Sequence, residues 1–195
     1  MSQNHLRHHA FATLHELANQ FLVEGEEYEK QGIVSSKPLA SIIFSAFCLE
    51  AYANHVGEYL LGLWNEQEKT GTVEKLATLH QHFKLKFDRS RRPIQTAINL
   101  FKFRSEIVHG RTRSAPVTSM KKTEDGWEFV MPTTDFPLVK ANSAKKARRT
   151  FEDVTKIIKT IYSETDEKYH TFANEDGSGV SIFNSGIWGT FRFPD

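Results

Sequence analysis

The spacing of apolar and polar side chains along this chain predicts five helices. Apolar residues recur every three or four positions in five segments, with charged and amide residues between them. This is the pattern of a helix with one buried face. Glycine follows the first and the fourth segments, where it favours the end of a helix, and Ser143 precedes the fifth, where serine can cap its start. The predicted helices cover residues of about 4–31, 36–65, 72–88, 93–110 and 143–170.

The second predicted helix differs from the others because its centre, LASIIFSAFCLEAYANHV, is apolar on nearly every side. A helix of this kind is buried against several neighbours. We therefore expect it to lie at the centre of a bundle. Short connections between the first four helices favour antiparallel neighbours.

Between the fourth and fifth helices the pattern changes to alternation. Residues 120–131 alternate around Asp125 and Gly126, a pair typical of a tight hairpin turn. Aromatic residues in the C-terminal tail favour a further strand there. The predicted fold is mainly α: an antiparallel bundle of four to five helices over residues 1–172, with a small β-hairpin inserted at about 115–140, and a strand-forming tail over residues 173–195.

The net charge, the cysteine count and the lack of long apolar runs exclude several kinds of site and partner. The 195 residues carry a formal net charge of +1, so no global charge attracts the chain to nucleic acid or to a membrane. Cys48 is the one cysteine, which excludes an internal disulfide and zinc sites with several cysteines. The first residues lack the apolar run of a signal peptide, and no uninterrupted apolar stretch approaches the length of a membrane span. We therefore expect a cytoplasmic protein without a membrane partner.

The segment FRSEIVHG, at the end of the fourth predicted helix, contains the residues best suited to catalysis. Arg104 precedes His109 by five positions, and Gly110 ends the helix. A guanidinium can hold phosphoryl oxygens through two N–H groups, and an imidazole can exchange a proton near neutral pH. Together they suit RNA cleavage by attack of the ribose 2′-hydroxyl, which needs neither a metal nor another cofactor.

These segments resemble the HEPN superfamily, whose members are small helical domains that dimerise. That family carries an Arg-x(4–6)-His motif on a late helix, and SAFCLEAYANHV is similar to its preceding core helix. The resemblance covers residues of about 4–110 and 143–170. It implies a metal-independent endoribonuclease of the kind found among toxins and defence effectors. Its expected partners are RNA, a second copy of the chain and a cognate antitoxin protein.

Four residues are candidates for catalysis, each with its own role. Arg104 steadies the phosphate, His109 moves protons, Ser105 assists through its hydroxyl, and Glu50 orients the others. Ser105 stands where that family commonly has Asn, Asp or His. No metal ligand is among the candidates.

Arg104 and His109 do not share a face of their helix. Residues five apart on an ideal helix lie about 140° apart around its axis. A second copy, related by a two-fold axis, can bring its own pair of residues into the same cleft. We therefore expect a homodimer with a composite site.

Basic residues flank the fourth helix on both sides. Arg89, Arg91 and Arg92 precede it, and Arg111 and Arg113 follow it. We expect these arginines to contact an RNA backbone near the motif. The alternative is a solvated basic face, which is also what we expect of the basic start of the fifth helix.

Two other interpretations remain open. The chain can be a non-catalytic, HEPN-like dimeric module that binds a nucleotide, a nucleic acid or a partner protein. It can also be a structural partner, such as the stabilising half of a toxin pair. In both cases Arg104 would pair with Glu50 or Glu106, and His109 would cap its helix.

Overall fold

The computed structural model describes residues 10–61, 69–110, 119–123, 126–130, 141–164, 171–173 and 179–181. Within these ranges the protein is mainly helical, and the predicted helical bundle is confirmed. The helices of the described ranges are α1 (Ala10–Lys30), α2 (Lys37–Leu61), α3 (Thr72–His82), α4 (Ile94–Val108) and α5 (Ala144–Ser163).

Two short antiparallel strand pairs accompany these helices. β1 (Ser119–Thr123) pairs with β2 (Gly126–Val130), and β3 (Thr171–Ala173) pairs with β4 (Gly179–Ser181). Gly126 has a φ of 137°, a conformation that residues with a side chain rarely adopt. Most of the predicted insertion at 115–140 and most of the tail at 173–195 lie outside the described residues.

α2 is the central helix of the bundle, as its apolar composition predicts. It contacts α1, α3, α4 and α5, and Leu49 and Tyr52 at its centre are fully buried. The Tyr52 hydroxyl donates a hydrogen bond to the carbonyl oxygen of Ile158 in α5, at 3.3 Å. By length and composition alone the stretch Lys37–Glu58 could cross a membrane, and half of it is buried inside the bundle. A central core helix passes the same test.

The N-termini of α2 and α5 are capped by residues that are distant in sequence. Ser143, the predicted cap of α5, makes no capping hydrogen bond with its side chain. Instead, Glu29 of α1 accepts a hydrogen bond from the backbone N–H of Ala144, at 3.2 Å. Asn142 accepts one from the backbone N–H of Leu39 in α2, at 3.3 Å. These bonds satisfy N–H groups that a helix cannot satisfy itself and fix α1, α2 and α5 to one another.

α3 ends at His82 rather than at about residue 88, so the predicted length of this helix is wrong. Lys84 adopts a left-handed conformation with a φ of 56°. The backbone N–H of Lys84 donates to the carbonyl of Gln81 at 3.1 Å, and that of Leu85 donates to the carbonyl of His80 at 2.8 Å. These two bonds form a Schellman motif, which usually has glycine at the left-handed position.

We expect Lys84→Gly to raise the free energy of unfolding by about 0.5–1 kcal/mol, because glycine adopts positive φ without the steric cost of a Cβ. Gly32 has a φ of 73° just after α1, and Lys84 is exposed, so little packing is lost. Urea unfolding of this variant should be compared with that of Lys86→Gly, at a position without positive φ. A midpoint below that of the wild type would contradict the prediction.

A buried histidine joins α1 to α5. His15 is 5% exposed, and its Nε2 lies 2.9 Å from the Thr155 hydroxyl. Its ring packs against Phe151 with centroids 4.6 Å apart. Burial, followed by the charge of Lys159, lowers the pKa of His15 from 6.5 to about 4. The imidazole is therefore neutral in the folded protein at neutral pH.

The low pKa of His15 predicts a loss of stability in mild acid. Below pH 6.5 the unfolded chain takes up a proton at His15, whereas the folded protein does so only near pH 4. The unfolded state therefore binds more protons, and the free energy of unfolding falls by about 2.5 kcal/mol between pH 7 and pH 4.5. Denaturant titrations at the two pH values measure the difference. His15→Gln should remove this loss of stability, and His82→Gln, at an exposed position, should not. Equal pH dependence in the wild type and both variants would contradict the assignment to His15.

Candidate functional site

The end of α4 carries three of the four predicted catalytic residues. Buried Ile94, Ala97 and Leu100 hold the first half of α4 against the bundle. The helix then continues to Val108, and Ser105 and His109 are exposed. His109 is the C-terminal cap, with a φ of −101° and a ψ of 17°. Its imidazole therefore extends into solvent from the end of a helix that is fixed at its other end.

Arg104 and Glu50 form an ion pair between α4 and α2. Nη2 of Arg104 lies 3.5 Å from Oε2 of Glu50, and the two side chains are 37% and 32% exposed. Nε of Arg104 is buried without a hydrogen-bond partner. One edge of the guanidinium is therefore held against α2, and the remaining N–H groups are the ones that a ligand can reach.

A second cation reaches the same part of α2. Nζ of Lys75 in α3 donates to Oδ1 of Asn54, at 2.8 Å, and Lys75 is 4% exposed. Asn54 lies one turn after Glu50, so the two share a face of α2. The spacing of Glu50 and Asn54 predicts their shared face, but no pattern in the sequence identifies Lys75, because it stands among the charged positions of a helix with an ordinary amphipathic pattern.

The two halves of the Arg-x(4–6)-His motif lie on different faces of α4. Arg104 contacts α2, and His109 is about 140° further around the helix axis. In the described part of the chain no hydrogen bond or ion pair joins them. Ser105 is four positions before His109 and so about 40° from it. One chain therefore presents the imidazole with the serine hydroxyl on one side, and the guanidinium with Glu50 on another.

The arginines that precede α4 lie far from His109. Arg89 and Arg91 belong to the loop between α3 and α4, at the N-terminal end of α4. α4 has 15 residues, so it is ~22 Å long at the usual helical rise. The length of α4 separates these arginines from His109 within one chain, and their contact with RNA stays a prediction. Arg111 and Arg113 lie outside the described residues.

Arg92, a predicted RNA contact, has a buried carboxylate as its partner. Its Nε and Nη2 donate to the two carboxylate oxygens of Asp153 in α5, at 2.7 and 3.0 Å. The Thr96 hydroxyl donates to the same carboxylate, at 2.5 Å. Asp153 is 5% exposed, so this pair chiefly fixes the start of α4 to α5.

The buried histidines of the helices differ from His109 in burial and in contacts. His80 is 3% exposed and donates from Nδ1 to the carbonyl oxygen of Leu76, at 2.7 Å. Burial lowers the pKa of His80, as it does that of His15. Both imidazoles belong to the packing of the bundle, whereas His82 and His109 are exposed.

Within the described ranges, no group of three or more His, Cys, Asp or Glu side chains is placed to hold a metal ion. Comparisons of the chain with models of protein families, with curated proteins and with solved structures find no match. The residues at the end of α4 and their neighbours in α2 are therefore the best indication of function.

Proposed function

We propose that this protein is a metal-independent endoribonuclease of the HEPN type, whose active site is completed by a second copy of the chain. The observation that carries the proposal is the accessible end of α4. It presents an imidazole and a hydroxyl on one face and a guanidinium, held by Glu50, on another. A role as a toxin or defence effector follows from the HEPN resemblance alone.

The reaction uses each of these groups at a stated atom. The imidazole of His109 takes the proton of the ribose 2′-hydroxyl as its oxygen attacks phosphorus. The bond from phosphorus to the 5′-oxygen breaks, and that oxygen takes a proton from water. Arg104 donates N–H groups to the phosphoryl oxygens as their negative charge grows. Ser105, on the same face as His109, donates a further hydrogen bond to the phosphate.

Two copies are needed because one chain separates its own guanidinium and imidazole. Arg104 and His109 lie about 140° apart around α4. In a two-fold dimer the partner's His109 faces a phosphate held by Arg104 of the first chain, and the same arrangement is repeated in the second site. Glu50 keeps the guanidinium extended along α2 in each copy, and so acts as a positioning residue.

The ion pair with Glu50 also favours the second candidate, a dimeric binding module without turnover. A carboxylate 3.5 Å from Nη2 already compensates the charge of Arg104. A ligand that binds without reacting needs only the remaining N–H groups and the surface around them. The two candidates differ in the products that they leave from RNA.

The proposal is tested by incubating purified protein with RNA in excess chelator. We expect cleavage to continue, with 2′,3′-cyclic phosphate on one product and a 5′-hydroxyl on the other. RNA with 2′-O-methyl groups should resist cleavage because it lacks the attacking hydroxyl. Products with a 5′-phosphate, or cleavage of the methylated RNA, would contradict the mechanism. Retention of the RNA without cleavage would support the binding module.

A further inference from the structure

The exposed face of α5 carries a row of cations that the catalytic proposal does not use. We name Lys145, Arg149, Lys156 and Lys159 the cationic face, and all four are exposed. Their spacing places them within about 80° around the helix axis and along ~21 Å of its length. Glu152 is the one carboxylate among them, so the face has a net charge of +3, against +1 for the whole chain.

The cationic face continues into the loop before α4. Asp153 holds Arg92 of that loop through two hydrogen bonds. Arg149 and Lys156 lie four residues before and three residues after Asp153, so they are its neighbours on the helix surface. Arg91, whose side chain is 80% exposed, adjoins Arg92. The bidentate pair therefore joins two basic segments that are distant in sequence.

Three of the cations have no ion-pair partner among the residues that the structure describes. Lys145, Arg149 and Lys156 make no ion pair with any residue in the described part of the chain. Like charges held together on one helix destabilise it slightly. An anionic polymer that lies along α5 would compensate that repulsion.

We propose that the cationic face binds the phosphate backbone of single-stranded RNA. This inference rests on the proposed function, because it gives the ribonuclease a surface that holds its substrate away from the site of cleavage. Rows of lysine and arginine bind such strands through their phosphates and without regard to sequence. Such a surface accommodates a strand of at least about four nucleotides.

The composition of the face favours RNA over the other anionic partners. All its exposed positions are polar, so no apolar side chain is present to enter the acyl region of an anionic membrane. Three of its four cations are lysines, which are depleted in the centres of protein interfaces, and it carries no aromatic anchor.

The test is binding of a fluorescent 2′-O-methyl oligonucleotide of roughly 12 nucleotides, measured by anisotropy over a series of salt concentrations. Because this ligand cannot be cleaved by 2′-hydroxyl attack, binding is judged apart from catalysis. Arg149→Gln and Lys156→Gln should each weaken binding about fivefold at about 0.1 M salt and reduce the salt slope by about 0.7. Glu152→Gln should tighten binding, because it removes the one negative charge of the face.

Lys30→Gln is the matched control, since Lys30 in α1 has a side chain that is 75% exposed and paired only with nearby Glu27. It should leave affinity unchanged. Equal effects of Lys30→Gln and Lys156→Gln would overturn the assignment, as would weaker binding by Glu152→Gln. Preferential binding to phosphatidylserine vesicles would also overturn it. If all these variants cleave ordinary RNA as fast as the wild type, the cationic face does not bind the substrate. The ribonuclease proposal would remain in place.

Discussion

Replacing His109 by alanine is expected to lower the rate of RNA cleavage by about 100- to 10,000-fold, the usual contribution of a positioned general base. The imidazole is exposed at the end of α4, so its loss removes the proton acceptor without opening a cavity. Initial rates in chelator, with RNA at saturating concentration, measure this effect. The free energy of unfolding should change little, because the side chain takes no part in the core.

His82→Ala is the control for this variant. His82 is likewise an exposed histidine in the last turn of a helix, α3, and its replacement should leave the cleavage rate unchanged. If His109→Ala cleaves as fast as the wild type, His109 is not the general base. If both variants lose activity together, the cause is structural rather than chemical.

Replacing Asp153 by alanine is expected to lower the free energy of unfolding by about 3 kcal/mol, the largest effect that we expect on stability. The Asp153 carboxylate is 5% exposed and accepts hydrogen bonds from Arg92 and Thr96. Its removal takes the acceptor from the Thr96 hydroxyl and breaks the ion pair between buried Asp153 and half-exposed Arg92, which joins the start of α4 to α5. Guanidinium unfolding, followed by circular dichroism, measures the change.

Asp88→Ala provides the comparison. Asp88 lies near Lys86 and Arg91 at 3.9 and 3.8 Å, but both cations are largely exposed, and exposed pairs contribute little. We expect Asp88→Ala to unfold close to the wild-type midpoint. Equal destabilisation by the two substitutions would contradict a special role for the buried pair.

The arrangement of helices is predictable from the sequence because it depends on the local spacing of apolar residues and on the apolar composition of α2. The near-continuous apolar surface of α2 predicts its central position, and the structure places it in contact with the other four helices of the described ranges. Gly32 marks the end of α1, where its φ is 73°. Such features need no knowledge of distant contacts.

The missed features depend on residues that are distant in sequence or unusual at their position. The end of α3 was not predicted because Lys84 occupies a left-handed position that usually has glycine. The cap of α5 was assigned to Ser143, whereas Glu29 supplies it from α1. The partner of Arg92 is Asp153, which no local pattern identifies.

The candidate site was predictable only where it depends on residues that are close together in sequence. The spacing of Arg104 and His109 predicts their separation around α4. The sequence offers Glu50 and Glu106 as partners of Arg104, and the structure pairs it with Glu50. The predicted bounds of the fourth helix, at about 93–110, already separate the basic loop from His109 by nearly the length that α4 has in the structure. The continuation of the cationic face into the loop before α4 was not predictable, because it depends on the pair between Arg92 and Asp153.

The central claim is that Arg104 of one chain and His109 of another act on the same phosphate. The direct measurement mixes two variants, Arg104→Gln and His109→Ala, each nearly inactive alone, under conditions that allow subunits to exchange. Half of the resulting dimers are mixed, and each mixed dimer has one intact site, so cleavage should return to about a quarter of the wild-type rate. A mixture that stays as inactive as its separate components would contradict the claim.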